Sequence, residues 1–103
     1  MIKVDGRYCM LRTRDLDMVE AAGNYVVVHV GSQRHTVRET MTSFEQRLSP
    51  ERFVRVHRSV IINVDRIQEM APTYHGEYVI TLMGGKKVTL SRTFRHRLEK
   101  LLI

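Results

Sequence analysis

Apolar and polar residues alternate along most of this chain, in short runs separated by turn-forming residues such as glycine, asparagine and proline. A period of two is typical of strands that bury one face, so the pattern predicts a β-rich domain. Gly23-Asn24 predicts a turn, because glycine adopts a positive φ at little cost. Gly31-Ser32-Gln33 and Gly84-Gly85 each separate two such runs and predict hairpins. The predicted strands cover residues 8–13, 16–22, 25–30, 34–38, 53–56, 59–64, 67–70, 77–82 and 86–90.

The apolar period changes to that of a helix in two segments. Residues 40–48 have one apolar helical face, and Thr42 with Glu45 has the spacing of a capping box. Residues 91–103 form the second predicted helix, with Ser91 as its N-cap. The apolar stripes consist of Met41, Phe44 and Leu48 in the first helix and of Phe94, Leu98, Leu101 and Leu102 in the second. The pattern therefore predicts a mostly antiparallel β domain with one short internal helix and one C-terminal helix.

Length and composition narrow the class of protein. With 103 residues, 43% of them hydrophobic and 27% charged, the chain suits one folded domain, which we expect to span residues 1–103. No apolar run approaches the roughly 18 residues that cross a bilayer, so we expect no membrane association. A single cysteine, Cys9, and the lack of a signal peptide predict a cytoplasmic protein. The histidines and Cys9 lack metal-ligand spacing, and we expect neither a metal nor a cofactor.

The net charge of +6 is distributed unevenly along the chain. Residues 1–50 hold 7 Lys and Arg against 6 Asp and Glu, whereas residues 51–103 hold 10 against 5. An excess confined to one half favours a basic face, and a polyanion is the commonest partner for such a face. A soluble basic protein without such a partner is the alternative at this point.

The segment RVHRSVIIN, residues 55–63, places four polar side chains directly before an apolar run. Arg55 and His57 alternate with valines and are expected on the strand face opposite them, while Arg58 and Ser59 lie where the alternation changes phase, as at a turn or bulge. Arginine presents a planar fork of donors that fits two phosphate oxygens or the O6/N7 edge of guanine. His57 and Ser59 suit phosphate oxygens. A structural role for Arg55 and His57, as an ion-paired and a packed side chain, is the alternative.

Three further positions have a candidate role. The basic residues of segment 91–97 lie in the predicted first turn of a helix, which disfavours cations, and a docked anion would remove that conflict. Long side chains that extend into solvent are the alternative there. Asn24 could bond to adenine N6/N7, although asparagine is also an ordinary turn residue. For Asn63 we favour a turn-capping role over ligand contact.

Other functions remain as alternatives at this stage. A ribonuclease would need a second histidine beside His57, which the sequence does not fix. An RNA- or single-strand-binding β domain would need exposed aromatic residues on a sheet, and Tyr25, Tyr74 and Tyr78 are scattered along the chain. A domain that mainly contacts proteins would not need the charge asymmetry.

Several ordered motifs resemble those of the LytTR-type DNA-binding domain of bacterial AlgR/AgrA/LytR response regulators. The matching segments are VEAAGNY (19–25), FVRVHRS (53–59) followed by IIN (61–63), and LSRTF (90–94). The resemblance covers about residues 5 to 103, and its long central motif is specific. Family members usually carry a receiver domain, and this chain contains none.

The resemblance implies an elongated fold of antiparallel sheets whose loops enter two successive major grooves at promoter direct repeats. It implies base reading by Asn24 and Arg58 and phosphate or second-groove contacts by Ser91, Thr93 and Arg95, with Arg92 suited to either. We therefore expect double-stranded DNA as the partner, in a transcription regulator that is not an enzyme. A weak homodimer on DNA, and contact with RNA polymerase or a sensory partner, are further hypotheses. The predicted DNA-binding residues are Asn24, Tyr25, Arg55, His57, Arg58, Ser59, Lys86, Ser91, Arg92, Thr93 and Arg95.

Overall fold

The computed structural model describes the backbone of residues 2–4 and all of residues 7–100. The strands are β1 (Ile2–Val4), β2 (Arg7–Cys9), β3 (Met18–Ala22), β4 (Tyr25–Val30), β5 (Gln33–Val37), β6 (Phe53–His57), β7 (Val60–Asn63), β8 (Ile67–Pro72), β9 (Tyr78–Leu82) and β10 (Lys87–Leu90). Two short helices, α1 (Met41–Glu45) and α2 (Arg95–Glu99), complete the fold. The predicted mostly β fold with antiparallel sheets is confirmed.

The largest sheet has five antiparallel strands in the order β5-β4-β3-β7-β6. The predicted turn at Gly23-Asn24 is confirmed, with Ala22 paired to Tyr25 across it. The predicted hairpin of β4 and β5 is confirmed as well, with Val30 paired to Gln33. Strands β6 and β7 form a further hairpin, and their register shifts between Arg55 and His57. This bulge confirms the change of phase that the sequence indicates just before Arg58.

A three-stranded sheet, in the order β10-β9-β8, packs on one face of the five-stranded sheet. Helix α1 covers the other face, so this central sheet lies between two apolar cores. Ile61 faces the core that contains Phe44, and Ile62 faces the core that contains Ile80 and Leu98. Both isoleucines are completely buried, which explains why their strand, β7, is apolar on both faces.

The helices differ in detail from the sequence prediction. The buried face of α1 is confirmed for Met41 and Phe44, but the N-cap is Thr40, whose side-chain oxygen accepts from the Ser43 backbone N–H at 3.1 Å. Thr42 lies inside the helix, so the predicted capping box is wrong. Serine and threonine recur along this segment, and the local pattern does not decide which of them caps the helix.

The C-terminal segment begins with a 3-10 turn, Arg92–Phe94, which leads into the five-residue α2. Ser91 precedes the turn, but its side chain makes no capping hydrogen bond, so that prediction is wrong. The predicted helix positions 101–103 lie outside the described residues. Leu98 is completely buried and fixes α2 against the second core.

At the N-terminal side the predicted strand over residues 8–13 is shorter, because β2 ends at Cys9 and residues Thr13–Asp15 form a 3-10 turn. The capping role of Asn63 is confirmed, since its side-chain oxygen accepts from the Asp65 backbone N–H at 3.0 Å while its amide donates to Leu16 O at 2.9 Å. The molecule measures 44 × 24 × 21 Å, and none of its described helices is long and apolar enough to cross a membrane.

Candidate nucleic-acid interface

Three of the predicted contact segments meet at one edge of the molecule. The Gly23-Asn24 turn and the Arg58-Ser59 turn lie at neighbouring strand ends, because the Ala21 backbone N–H donates to Ser59 O at 2.9 Å. Ser91 joins them, since its N–H donates to Val56 O at 2.9 Å, next to the end of β6. We call this edge, formed by residues 23–24, 58–59 and 91–95, the loop edge. The opposite edge carries the Gly31-Ser32 and Gly84-Gly85 turns.

Arg58 has an exposed side chain at the tip of the β6–β7 turn. Among residues 7–100 no carboxylate pairs with its guanidinium, so its five donors remain free. Two hydrogen bonds fix the backbone of this turn. Arg55 Nε donates to Arg58 O at 3.2 Å, and a second guanidinium nitrogen of Arg55, NH2, donates to the same oxygen. The Arg58 side chain therefore projects from a fixed backbone.

Arg55 is in turn held by groups from distant parts of the chain. Its side chain is only 17% exposed, with NH1 3.5 Å from Glu45 Oε1 and the guanidinium carbon 5.9 Å from the centre of the Phe94 ring. The other Glu45 oxygen lies 3.4 Å from Arg97 NH1, and Arg97 also stacks on Phe94 at 4.9 Å. Glu45 and Phe94 thus connect the Arg58 turn to helices α1 and α2. The sequence analysis did not identify these two supporting residues.

His57 and Ser59 form a compact pair beside this turn. The Ser59 hydroxyl lies 2.9 Å from His57 Nδ1, and the Ser59 backbone N–H donates to the same nitrogen at 3.2 Å. Because a backbone N–H can only donate, Nδ1 is an acceptor and the neutral ring carries its proton on Nε2. That N–H has no partner within the described part of the chain and can donate to an oxygen of a ligand.

Asn24 and Tyr25 are both exposed, and Tyr25 is the first residue of β4, directly after the turn. Gly23 adopts φ +64°, a conformation that glycine supplies without strain, so the tight turn presents the Asn24 amide outward. The described residues provide no side-chain hydrogen bond to Asn24. Its amide can therefore bond to an external group.

Within residues 91–95 the cations differ in their surroundings. Arg95 Nε lies 3.0 Å from Glu99 Oε1, and both side chains are largely exposed. Arg92 and Thr93 are exposed as well, and Arg92 has no ion pair within the described segments. The sequence suggested that an external anion offsets the cations at this helix start. Glu99 and Glu45 lie beside Arg95 and Arg97, whereas Arg92 has no carboxylate partner among residues 7–100. Binding of an external anion here stays a prediction.

Lys86 lies apart from the loop edge, beside the Gly31 turn. Its ammonium is 2.9 Å from His29 Nδ1 and 3.4 Å from Gly31 O. The other nitrogen of the buried His29 contacts a Glu20 carboxylate oxygen. These contacts connect the five-stranded sheet to the β9–β10 hairpin of the three-stranded sheet. The ammonium of Lys86 therefore already has hydrogen-bond partners within the protein. No group of three His, Cys, Asp or Glu side chains in the described residues is placed to hold a metal ion.

The chain is similar to known proteins in both sequence and structure. The model of the LytTr DNA-binding domain family matches residues 6–103. The chain belongs to the LytTR family of DNA-binding domains. A solved LytTr DNA-binding domain from Bacillus cereus superposes with a TM-score of 0.86 at 25% identity, over 98% of this chain and 93% of that one. The resemblance on which the sequence analysis relied is confirmed.

Two curated relatives of this LytTR domain are longer proteins. The sensory transduction protein LytT of Bacillus subtilis is 32% identical over 90 residues, which cover 87% of this chain and 37% of LytT. The transcriptional regulatory protein LytR of Staphylococcus aureus is 27% identical over 93 residues, which cover 90% of this chain and 38% of LytR. The chain thus spans about two-fifths of the length of the curated relatives it matches.

Proposed function

We propose that this LytTR domain binds double-stranded DNA at specific sequences and thereby regulates transcription, without enzymatic activity. The observation that carries the proposal is the exposed guanidinium of Arg58, which has no carboxylate partner among residues 7–100 and lies on a turn held by Arg55 at a basic edge. A guanidinium fork held on a fixed backbone can bond bidentately to the O6 and N7 atoms of guanine in a major groove. The match to a DNA-binding family supports the same conclusion.

The exposed residues of the loop edge divide by chemistry into base readers and phosphate binders. Arg58 and Asn24 have the donors and acceptors to read base edges, and Tyr25 lies beside Asn24 on the same side. Ser91, Thr93 and Arg95 suit phosphate oxygens, and Arg92 suits either role. The Glu99 pair of Arg95 is solvent-exposed, so exchanging it for a phosphate costs little.

The other predicted contacts act closer to the protein. The side chain of Arg55 is mostly covered, so it serves the interface by holding the Arg58 carbonyl. His57 offers its Nε2–H to a phosphate while Ser59 fixes the ring. Lys86 contributes positive charge from the far edge, where its ammonium also links the sheets.

One domain is large enough to reach two grooves. Successive major grooves on one side of B-DNA lie about 34 Å apart, and the longest dimension of the molecule is 44 Å. We propose contact with successive major grooves at promoter direct repeats, with two copies of the domain on adjacent repeats and weak contact between them. A sensory segment or RNA polymerase would be a further partner of the protein that contains this domain.

Selection of bound sequences from a random duplex pool tests the proposal. We expect a short motif that recurs at a spacing of about 10–10.5 base pairs or a multiple of it. The selected duplex is then competed against the same sequence as single-stranded DNA and as RNA. Preferential binding of the duplex supports the proposal, whereas preferential binding of a single strand favours a stacking β domain and contradicts it.

A further inference from the structure

A loop that the predicted interface does not include also lies at the loop edge. Strand β8 ends at Pro72 and β9 begins at Tyr78, and Tyr78 pairs with Leu90, the residue directly before Ser91. Residues 73–77, which we call the β8–β9 loop, therefore occupy the same edge as residues 91–95. This placement follows from strand pairing alone.

The β8–β9 loop is closed by its own hydrogen bonds. The Thr73 N–H donates to Glu77 O at 2.9 Å, and the Thr73 hydroxyl donates to the same oxygen at 3.2 Å. The hydroxyl also accepts from the His75 N–H at 3.4 Å. These bonds fix the loop, yet the side chain of Tyr74 is fully exposed at its tip. A large aromatic side chain presented in this way on an ordered loop is available to a partner.

The same loop contacts one of the predicted DNA-binding residues. A β-carbon built on Gly76 would lie 3.0 Å from Arg92 Cδ and 3.5 Å from Cγ, so the aliphatic part of Arg92 packs directly on the glycine. Gly76 also adopts φ +75°, which disfavours other residues. The bare glycine therefore sets the position of the Arg92 side chain, whose guanidinium is exposed and unpaired within residues 7–100.

We propose that the β8–β9 loop is a further DNA-binding element of the domain. Gly76 acts as a positioning residue for Arg92, and Tyr74 donates its hydroxyl to a phosphate of the duplex that Arg58 reads. The partner follows from continuity: the loop supports Arg92, and Arg92 lies within the proposed interface. The inference rests on the proposed duplex binding and adds two residues, Tyr74 and Gly76, to the interface.

Replacement of the glycine tests the positioning role. Gly76→Ala should weaken binding to the selected duplex about five- to ten-fold, because a β-carbon displaces Arg92. Gly31→Ala is the matched control, since Gly31 has φ +60° with nothing within 4 Å of its β-carbon position and lies at the opposite edge. The loss from Gly76→Ala should vanish in an Arg92→Ala background, because the two changes act on one contact. Equal losses in both backgrounds would overturn the positioning role.

Two variants of the exposed tyrosine test the phosphate contact without endangering the fold. Tyr74→Phe should lose about five-fold in affinity, which is the net value of one ordinary hydrogen bond, and leave the salt dependence unchanged because no charge is removed. Tyr74→Ala should lose at least as much. Met83→Ala is the control, because Met83 is an exposed apolar residue in the β9–β10 turn at the opposite edge. Wild-type affinity in both tyrosine variants would overturn the contact.

The two proposals fail in different ways. If the wild-type chain does not bind duplex DNA, the proposed function and this inference both fail. If the wild-type chain binds and Arg58→Ala loses affinity while the Gly76 and Tyr74 variants match their controls, only the β8–β9 loop is excluded. Thermal unfolding of each variant separates lost contacts from lost structure, and the Tyr74 variants remain decisive if Gly76→Ala unfolds.

Discussion

Arg58 combines a free side chain with a fixed backbone. Ordering a long side chain on binding costs about 0.5–1.5 kcal/mol, but the turn below it adds no further cost because the Arg55 guanidinium already holds its carbonyl oxygen. Such preorganisation favours one orientation of the Arg58 side chain against a base edge over many weakly bound orientations. We therefore place Arg58 first among the residues proposed to read base edges.

Arg58→Ala should cost about 1–3 kcal/mol in binding to the selected duplex and should relax the base preference at one position of the site. Titrations with the selected duplex and with a scrambled duplex of the same length measure the difference. Arg34→Ala is the control for lost charge, because Arg34 is exposed near the opposite edge. Equal losses on both duplexes would make Arg58 a phosphate contact.

Arg95→Ala should weaken binding uniformly across sequences. Its guanidinium exchanges an exposed carboxylate for a phosphate, so removing it should make the slope of log K against log salt shallower by about 0.9. Binding isotherms at several salt concentrations measure the slope, and Arg95→Lys should retain it. An unchanged slope in the alanine variant would reject a phosphate role for Arg95.

Part of this residue-level picture could be predicted from the sequence. The turn position of Arg58 follows from the change in apolar alternation beside it, and its free side chain agrees with the lack of nearby acidic residues. The covered position of Arg55 could not be predicted, because Glu45 and Phe94 reach it from two separate helices. Lys86 is similar: its partner His29 is 57 positions away in sequence.

At the level of secondary structure, the paired strands β6 and β7 fix the position of the Arg58 turn that connects them. The bulge between Arg55 and His57 directs Arg55 back under the turn, where two of its nitrogens bond to one carbonyl oxygen. A lysine keeps the charge but lacks the planar fork needed for both bonds. The geometry of arginine, and not only its charge, is therefore required.

Arg55→Lys should weaken binding to the selected duplex by roughly 0.5–1.5 kcal/mol, the net value of one hydrogen bond, while binding to a scrambled duplex changes less. Arg47→Lys serves as a control, because Arg47 also pairs with a carboxylate and stacks near a phenylalanine but makes no contact with the turn. If Arg55→Lys reduces binding to both duplexes equally, Arg55 acts through DNA contact instead of through the turn.

The sequence predicts which segments are strands and helices better than it predicts the residues at which the helices begin. Most strands follow from alternation, β4 and β7 follow from short runs of β-branched residues, and the turns follow from glycine and asparagine placed between strands. The N-cap of α1 is Thr40 and not the predicted Thr42, because a threonine lies on each side of Met41 and the choice depends on how the chain leaves β5. The 3-10 turn before α2 likewise depends on the bond from Ser91 to Val56 in another strand.

At the scale of the whole molecule, the sheet order brings distant turns to one edge. Strand β3 lies between β4 and β7, so the turns at Asn24 and Arg58 become neighbours although 34 positions separate them in sequence. The stacked β10 then delivers Ser91 beside β6. Periodicity predicts each strand but not this order, because the pairing of β3 with β7 is a long-range choice. The resemblance to a known family, and not the alternation, indicated the grouping.

We propose that the DNA-binding surface of the domain lies at the loop edge. Amide chemical-shift changes on titrating the labelled domain with the selected duplex test it most directly. We expect large changes at Asn24, Arg58 and Arg92 and small ones at Gly31 and Gly84. Changes centred on Gly31 and Gly84, with Arg58 unaffected, would contradict it.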